Sequence, residues 1–290
     1  MTTTEKTFAT GEVTLNYAET ASTGPPLLLL HGGSARWQAF TAILPDLSPP
    51  FHIYAPDLRG HGKSGWVPGS YRLQDYVDDT IAFLKQVVAG PALVFGHSLG
   101  GIVALMVAAQ YPEGVRAVAV GDAPLSGDTW REVIRASRND LVVWRDLAGG
   151  QTPMPEMIET LKEMPVTVPG QSEPVPFRDV VGDDSPVFDQ WLAPNLYHQD
   201  PDMLTAILER FDETAAGYEL ASVLPAIPCP VLLLQADPLT GGLMTDQEVA
   251  EALPHLARPQ HVKLAGLSHV LHNERKEPVV AALEHFFRAT

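Results

Sequence analysis

The sequence predicts an α/β fold: a doubly wound, mostly parallel sheet with one inserted helical segment. Three observations lead there. Short apolar runs alternate with longer segments of helical period along most of the chain, as strands and crossover helices do in a parallel sheet. Some of those runs are continuously apolar, as expected for strands buried on both faces. Of the 290 residues, 45% are hydrophobic, enough to build a large core.

In chain order, Val13 to Tyr17 alternates like a half-exposed strand, and Leu27 to Leu30 reads as a fully buried one. Further strands follow at His52 to Ala55, Leu93 to Phe95, Val115 to Val120, Val231 to Leu234 and His261 to Leu264. Helical patterns lie between them at Trp37 to Leu47, Leu73 to Val88, Leu99 to Gln110 and Asp246 to Leu253. The last helix is Pro278 to Arg288, its proline suited to a first turn. From Leu125 to Ser222 the rhythm breaks. Helical patterns at Thr129 to Leu147 and Pro201 to Leu220 flank a stretch holding Pro153, Pro155, Pro165, Pro169, Pro174, Pro176, Pro186 and Pro194. That density forbids long helices and central strands. The expected organisation is one α/β core, residues 1–124 and 223–290, with a helical insertion at 125–222.

Composition narrows the function. With 35 acidic and 19 basic side chains the net charge is −16, so the chain lacks the cations that duplex nucleic acid or an anionic membrane surface requires. Cys229 stands alone, which excludes an internal disulfide, and its apolar setting reads as a buried structural thiol. The N-terminal residues have no basic segment followed by an apolar run, and no stretch approaches a membrane span. A cytoplasmic protein is expected.

Gly96-His97-Ser98-Leu99-Gly100 is a G-x-S-x-G motif followed by Gly101. The bare letters are only moderately specific, but here they join a predicted strand to a predicted helix. A serine on so sharp a turn adopts strained backbone angles, and glycines two positions either side relieve the crowding. The helix N-terminus beyond it favours negative charge. Gly60-His61-Gly62-Lys63-Ser64-Gly65 satisfies the dinucleotide pattern G-x-G-x-x-G. The loop Trp66-Val67-Pro68 follows it where a pyrophosphate-binding helix should open, so it reads as a structural turn. No cofactor is expected, and no metal, since no H-E-x-x-H helix or Cys/His cluster occurs.

With these residues in view the chain resembles the α/β-hydrolase superfamily. Four segments match in order: Leu30-His31-Gly32-Gly33, Asp57-Leu58-Arg59-Gly60-His61-Gly62-Lys63-Ser64, the Ser98 turn, and Gly266-Leu267-Ser268-His269. The resemblance spans nearly the whole chain, and the 125–222 insertion falls where the family carries its helical cap. It implies a Ser–His–Asp triad: Ser98 as nucleophile, His269 as base, and as acid either Asp237, the favoured choice, or Asp122. His272 is the rival base, with a helix-end or supporting role preferred. The loop Gln235-Ala236-Asp237-Pro238 departs from the usual family loop, which is a residue or so longer and carries a glycine before the acid. The resemblance also implies an oxyanion hole from the amides of Gly33 and Leu99, with Ser34 as an alternative donor.

The implied reaction is cleavage of a small-molecule carboxylic ester or lactone through an acyl-enzyme. A serine nucleophile argues against the family's epoxide hydrolases and haloalkane dehalogenases, which use aspartate there. Pocket candidates are Ser34, Arg36, Trp37, His97, Asp122, Trp144 and Trp191, with Trp130, Phe188 and Tyr197 as further apolar lining or cap packing. Two alternatives stand beside this one. A C–C bond hydrolase of a dicarbonyl compound uses the same triad and would need a pocket arginine, for which Arg36 is the candidate. A ligand-binding or receptor protein on the same scaffold would turn substrate over slowly or not at all. Sequence leaves the substrate and the oligomeric state open.

Overall fold

The structure, a computed structural model, describes residues 3–167 and 173–290; Pro169 of the proline-rich stretch lies outside them. In chain order the strands are β1 (Thr3–Ala9), β2 (Thr14–Thr20), β3 (Pro26–Leu30), β4 (His52–Pro56), β5 (Ala92–His97), β6 (Val115–Gly121), β7 (Pro165–Val166), β8 (Val175–Pro176), β9 (Pro230–Ala236) and β10 (Arg258–Leu264). Eight of them form one sheet in the order β1-β2-β4-β3-β5-β6-β9-β10. From β4 to β10 all pairings are parallel, whereas β1 and β2 pair antiparallel with their neighbours. Strand order reverses between β3 and β5, and the crevice beyond the carboxyl ends of such strands is where open α/β sheets place their sites.

The continuously apolar strands are explained by two faces. Leu27 and Leu29 point into one layer with Phe40, Phe95, Leu232 and Leu283. Leu28 and Leu30 point into the other with Val94, Val103, Val118 and Leu233. All four leucines are fully buried, each contributing about 1.5–3 kcal/mol. The first layer is covered by α1 (Leu44–Leu47) and the C-terminal helix, the second by α2 (Leu73–Phe83) and α3 (Leu99–Gln110). Helix α3 carries no charged side chain and is apolar almost all round, as a helix inside a core must be.

After β6 the chain runs through α4 (Gly127–Ala136), α5 (Arg138–Leu147), α6 (Met154–Glu163), α7 (Phe177–Val181), α8 (Ala193–Tyr197), α9 (Pro201–Glu209), α10 (Phe211–Thr214) and α11 (Leu220–Val223). The β7–β8 pair stands apart from the main sheet. These helices hold a small apolar cluster of their own, with Met157, Leu161, Phe188 and Leu196 at its centre. They dock on the core through an apolar cluster that Leu141, Met203, Leu204 and Phe211 share with Val103 and Met106 of α3, and through polar contacts. The Asp200 amide donates to the Gly60 carbonyl at 2.9 Å, the Tyr71 hydroxyl donates to Asp200 at 2.5 Å, and the Tyr218 hydroxyl donates to the Pro124 carbonyl at 2.8 Å. After β9 come α12 (Asp246–Ala252), α13 (Leu271–Glu274) and α14 (Lys276–Arg288). Among the described residues no helix is long and apolar enough to cross a membrane.

Several elements differ from expectation for local reasons. Strand β1 has no counterpart in the sequence reading, because most of its residues are exposed at the sheet edge and show no apolar face. The helix expected over Trp37 to Leu47 is a short turn at Trp37–Phe40 followed by α1 with a proline in its first turn. The pattern Thr129 to Leu147 divides at Ser137, whose φ and ψ of −92° and 9° break the helix. Pro201 to Leu220 is interrupted at Arg210 and at Gly217, which has φ +83°.

Candidate active site

Strand register sets the site. Leu30 on β3 pairs with Gly96 on β5, and His97 pairs with Gly121 on β6. The residues that follow these strands, His31-Gly32-Gly33, Ser98 and Asp122, therefore emerge side by side at one end of the sheet. Ser98 has φ 54° and ψ −121° and caps α3 without a side-chain bond to its own helix. A non-glycine residue held there is strained by about 1–3 kcal/mol. The turn is tight enough to demand its glycines. A Cβ on Gly96 would lie 2.1 Å from the Gly100 carbonyl oxygen, and one on Gly100 would lie 2.1 Å from the Leu30 carbonyl oxygen.

His269 reaches this end from the loop between β10 and α13. Its Nδ1 lies 2.8 Å from Oδ2 of Asp122, with the imidazole 27% exposed and the carboxylate fully buried. The acid expected first from sequence, Asp237, is not the partner. Its carboxylate accepts from the amides of Leu239 and Gly266, at 3.0 and 2.9 Å. In that role it caps a short turn and joins it to the loop after β10. Topology explains the difference: β6 adjoins β5, the strand of the serine, whereas β9 lies one strand further out.

Asp122 is built for a buried charge. It has φ +42°, which turns the carboxylate back over the sheet end. It accepts backbone amides from Ala236 and Met244 at 3.1 Å and from Leu243 at 2.8 Å, in addition to His269. Hydrogen bonds to an ionised acceptor are the strong ones, and four of them offset the desolvation of a carboxylate. With Nδ1–H donating to Asp122, Nε2 of His269 is free to take a proton.

His97 braces the His269 backbone. Its Nε2–H donates to the His269 carbonyl at 2.8 Å, and the two rings lie 4.7 Å apart. Burial, with the neighbouring His269 and His272 adding to it, holds His97 far below the usual histidine range, so it stays neutral. His272 is buried against Phe40, at 5.3 Å and nearly parallel, and against the edge of His97 at 5.0 Å. Neither of its nitrogens makes a well-formed hydrogen bond, the backbone of Ala39 being its nearest polar neighbour.

The opposite wall is the loop after β3. The position of a Cβ on Gly32 would lie 3.1 Å from the Ser98 Cβ, so this loop backs directly onto the serine. Neither the Gly33 nor the Leu99 amide has a hydrogen-bond partner among the described residues, and Gly33 faces open space. The Ser34 amide is engaged, donating to Nε2 of His61 at 3.3 Å, which removes it as an alternative donor. His31 accepts the Leu58 amide at Nε2 at 3.0 Å, and burial pushes it down to about 4.

The remaining pocket candidates divide. Trp37 turns away, its indole N–H donating to Glu5 on β1 at 2.8 Å. Trp130 is buried against Phe211, and Phe188 packs with Phe177 inside the helical segment. Trp144 sits between two apolar clusters with a buried, unpartnered indole N–H, and Tyr197 joins the same packing. Trp191 is half-buried in the turn before α8. Arg36 reaches across from the β3 loop to α8, its Nε donating to Oδ1 of Asn195 at 2.9 Å.

The glycine-rich loop after β4 is structural. Asp57 accepts from the Trp37 and Lys63 amides and from the Asn16 side chain. Arg59, fully buried, is clamped by both oxygens of Asp79 at 2.6 and 2.8 Å. A Cβ on Gly62 would lie 2.3 Å from the Asp57 carboxylate, where a nucleotide phosphate has no room.

Comparison with known proteins agrees with this fold. A family model described as an alpha/beta hydrolase family matches residues 27–282. The chain is 38% identical over 112 residues to a 2-(acetamidomethylene)succinate hydrolase of Mesorhizobium japonicum, a match spanning 39% of this chain and 40% of that protein. An enol-lactonase from Burkholderia xenovorans LB400 superposes with a TM-score of 0.73 at 18% identity, over 98% of this chain and 100% of that one. An esterase from Thermogutta terrifontis gives a TM-score of 0.69 at 23% identity, over 100% and 99%. At these identities the structural likeness is one of fold.

Proposed function

The chain belongs to the alpha/beta hydrolase family, and we propose that it is a serine hydrolase cleaving a carboxylic ester or lactone through an acyl-enzyme. The observation that carries this reading is the Asp122–His269 pair at 2.8 Å beside a serine held in a strained strand-to-helix turn. Serine alone is a weak nucleophile and needs a base fixed by an acid.

The steps follow from the residues. Ser98 Oγ attacks the substrate carbonyl carbon while its proton passes to His269 Nε2. The oxyanion is held by the Gly33 and Leu99 amides, each worth on the order of 3 kcal/mol in the transition state. The carbonyl double bond re-forms, the C–O bond to the leaving alkoxide breaks, and His269 returns the proton to that oxygen. Water then gives a proton to His269 and its oxygen attacks the acyl carbon. The acid is released and Ser98 regains its proton. Throughout, Asp122 holds the ring and stabilises the imidazolium.

A panel of chromogenic esters and lactones, assayed with wild type and Ser98→Ala, tests the reading. At least one substrate should lose about a thousandfold or more in kcat in the variant. Activity that survives Ser98→Ala would overturn it. A second reading, hydrolysis of a C–C bond in a dicarbonyl acid by the same residues, is favoured by the unpaired guanidinium of Arg36. It is distinguished by slow ester turnover beside fast consumption of such an acid.

A further inference from the structure

Arg36 is a half-buried cation without a carboxylate. The salt bridges formed by the chain do not include it, and every Asp and Glu side chain lies among the described residues. Its nearest negative charges, Asp57 and Glu5, are committed elsewhere. Asp57 accepts the Trp37 amide, the Lys63 amide and the Asn16 side chain, and Glu5 accepts from Trp37 and Lys63. Burial depresses the guanidinium, with these two carboxylates opposing the effect from a distance. The guanidinium is thus available to an anionic partner from outside the chain.

The local hydrogen bonds give the shape of that ligand. Nε is satisfied by Asn195 Oδ1 at 2.9 Å, which fixes the planar fork and leaves both terminal nitrogens without partners among the described residues. The Asn195 side chain is buried, and while its Oδ1 accepts from Arg36 its amide nitrogen adds two further donors beside the guanidinium. The cluster is therefore made of donors around a cation, with two parallel N–H directions suited to a planar carboxylate. Its place is equally specific. Arg36 lies three residues after Gly33 on the loop that backs onto Ser98, no more than about 12 Å along the chain. Its partner Asn195 sits on α8, so the pair links this loop to the helical segment.

We infer that Arg36 and Asn195 form a carboxylate-binding subsite, so that the preferred substrate carries an anionic carboxylate a few bonds from the carbonyl that Ser98 attacks. This deepens the serine-hydrolase reading and rests on it. The substrate class is then the monoester, or carboxylated lactone, of a dicarboxylic acid rather than a simple fatty-acyl ester.

The test compares 4-nitrophenyl butyrate with mono-4-nitrophenyl adipate. Wild type should favour the adipate ester at least tenfold in kcat/KM. Arg36→Gln should lower that preference at least tenfold, mostly through KM, and Arg36→Lys should restore part of it. Equal loss on both esters, or a wild-type preference for the neutral one, would overturn the subsite. If neither ester is cleaved in a Ser98-dependent way, the hydrolase reading fails separately. The subsite is then read by calorimetric titration of adipate into the Ser98→Ala protein. Binding that Arg36→Gln abolishes supports it, and no binding to the Arg36-containing protein overturns it.

Discussion

Asp122 illustrates what a single residue owes to its surroundings. Its identity is ordinary, yet φ +42° and three amide donors place its carboxylate where His269 Nδ1 meets it at 2.8 Å. The turn that carries Ser98 and the loop that carries His269 were legible in the sequence because each is a short motif bounded by recognisable strand and helix patterns. The carboxylate that pairs with His269 was not, because two aspartates follow two neighbouring strands and only the folded register decides which faces the histidine. The shortened loop around Asp237 was the one signal in the sequence. That loop closes on itself through the Leu239 amide instead of reaching the histidine. Glycines give a sharp prediction at this scale. Gly100→Ala puts a methyl group 2.1 Å from the Leu30 carbonyl oxygen, so it should destabilise the protein by about 3 kcal/mol or more. Gly33→Ala meets no atom within 4 Å and should leave the urea midpoint nearly unchanged. Equal effects of the two on the unfolding transition would contradict the geometry of the turn.

Burial on both faces made β3 legible, and the lack of any apolar face hid β1. Leu27 to Leu30 announces β3, whereas β1 has no apolar stripe and is recruited only by pairing with β2. β10 begins at Arg258 and includes Pro259, which an edge strand tolerates because one side of its backbone needs no partner. The helical segment is joined to the core by a shared apolar cluster and by specific hydrogen bonds, among them the buried Tyr71–Asp200 contact. Desolvation, strengthened by the hydrogen bond to Asp200, raises the Tyr71 hydroxyl far above its usual value, so it remains a donor. Tyr71→Phe leaves that buried carboxylate short of one donor and should cost about 1–3 kcal/mol. Urea unfolding measures the loss, and limited proteolysis should report faster cleavage within α8 and α9. Unchanged stability would mean that other contacts hold the segment.

At the scale of the whole molecule, histidines make stability depend on pH. Burial holds His31 and His272 at about 4 and His61 at about 3, against about 6.5 in an unfolded chain. These groups stay neutral when folded, so the unfolded chain binds more protons as pH falls. Their contribution is complete above about pH 6.5 and is lost progressively as pH drops through 4, on the order of 2 kcal/mol each at pH 5. His272→Phe tests this, because the ring already packs on Phe40 and Phe95. The variant should lose less stability than wild type between pH 7 and pH 5, and identical losses would contradict the account. The net charge of −16, by contrast, is spread over the whole chain and carries no information about the reaction.

We propose that Asp122, not Asp237, orients the base that activates Ser98. The direct measurement is kcat for Asp122→Asn and Asp237→Asn on one Ser98-dependent substrate. The structure predicts a loss of about ten-thousandfold for Asp122→Asn and no more than a few-fold for Asp237→Asn. The reverse order, or equal losses, would contradict it.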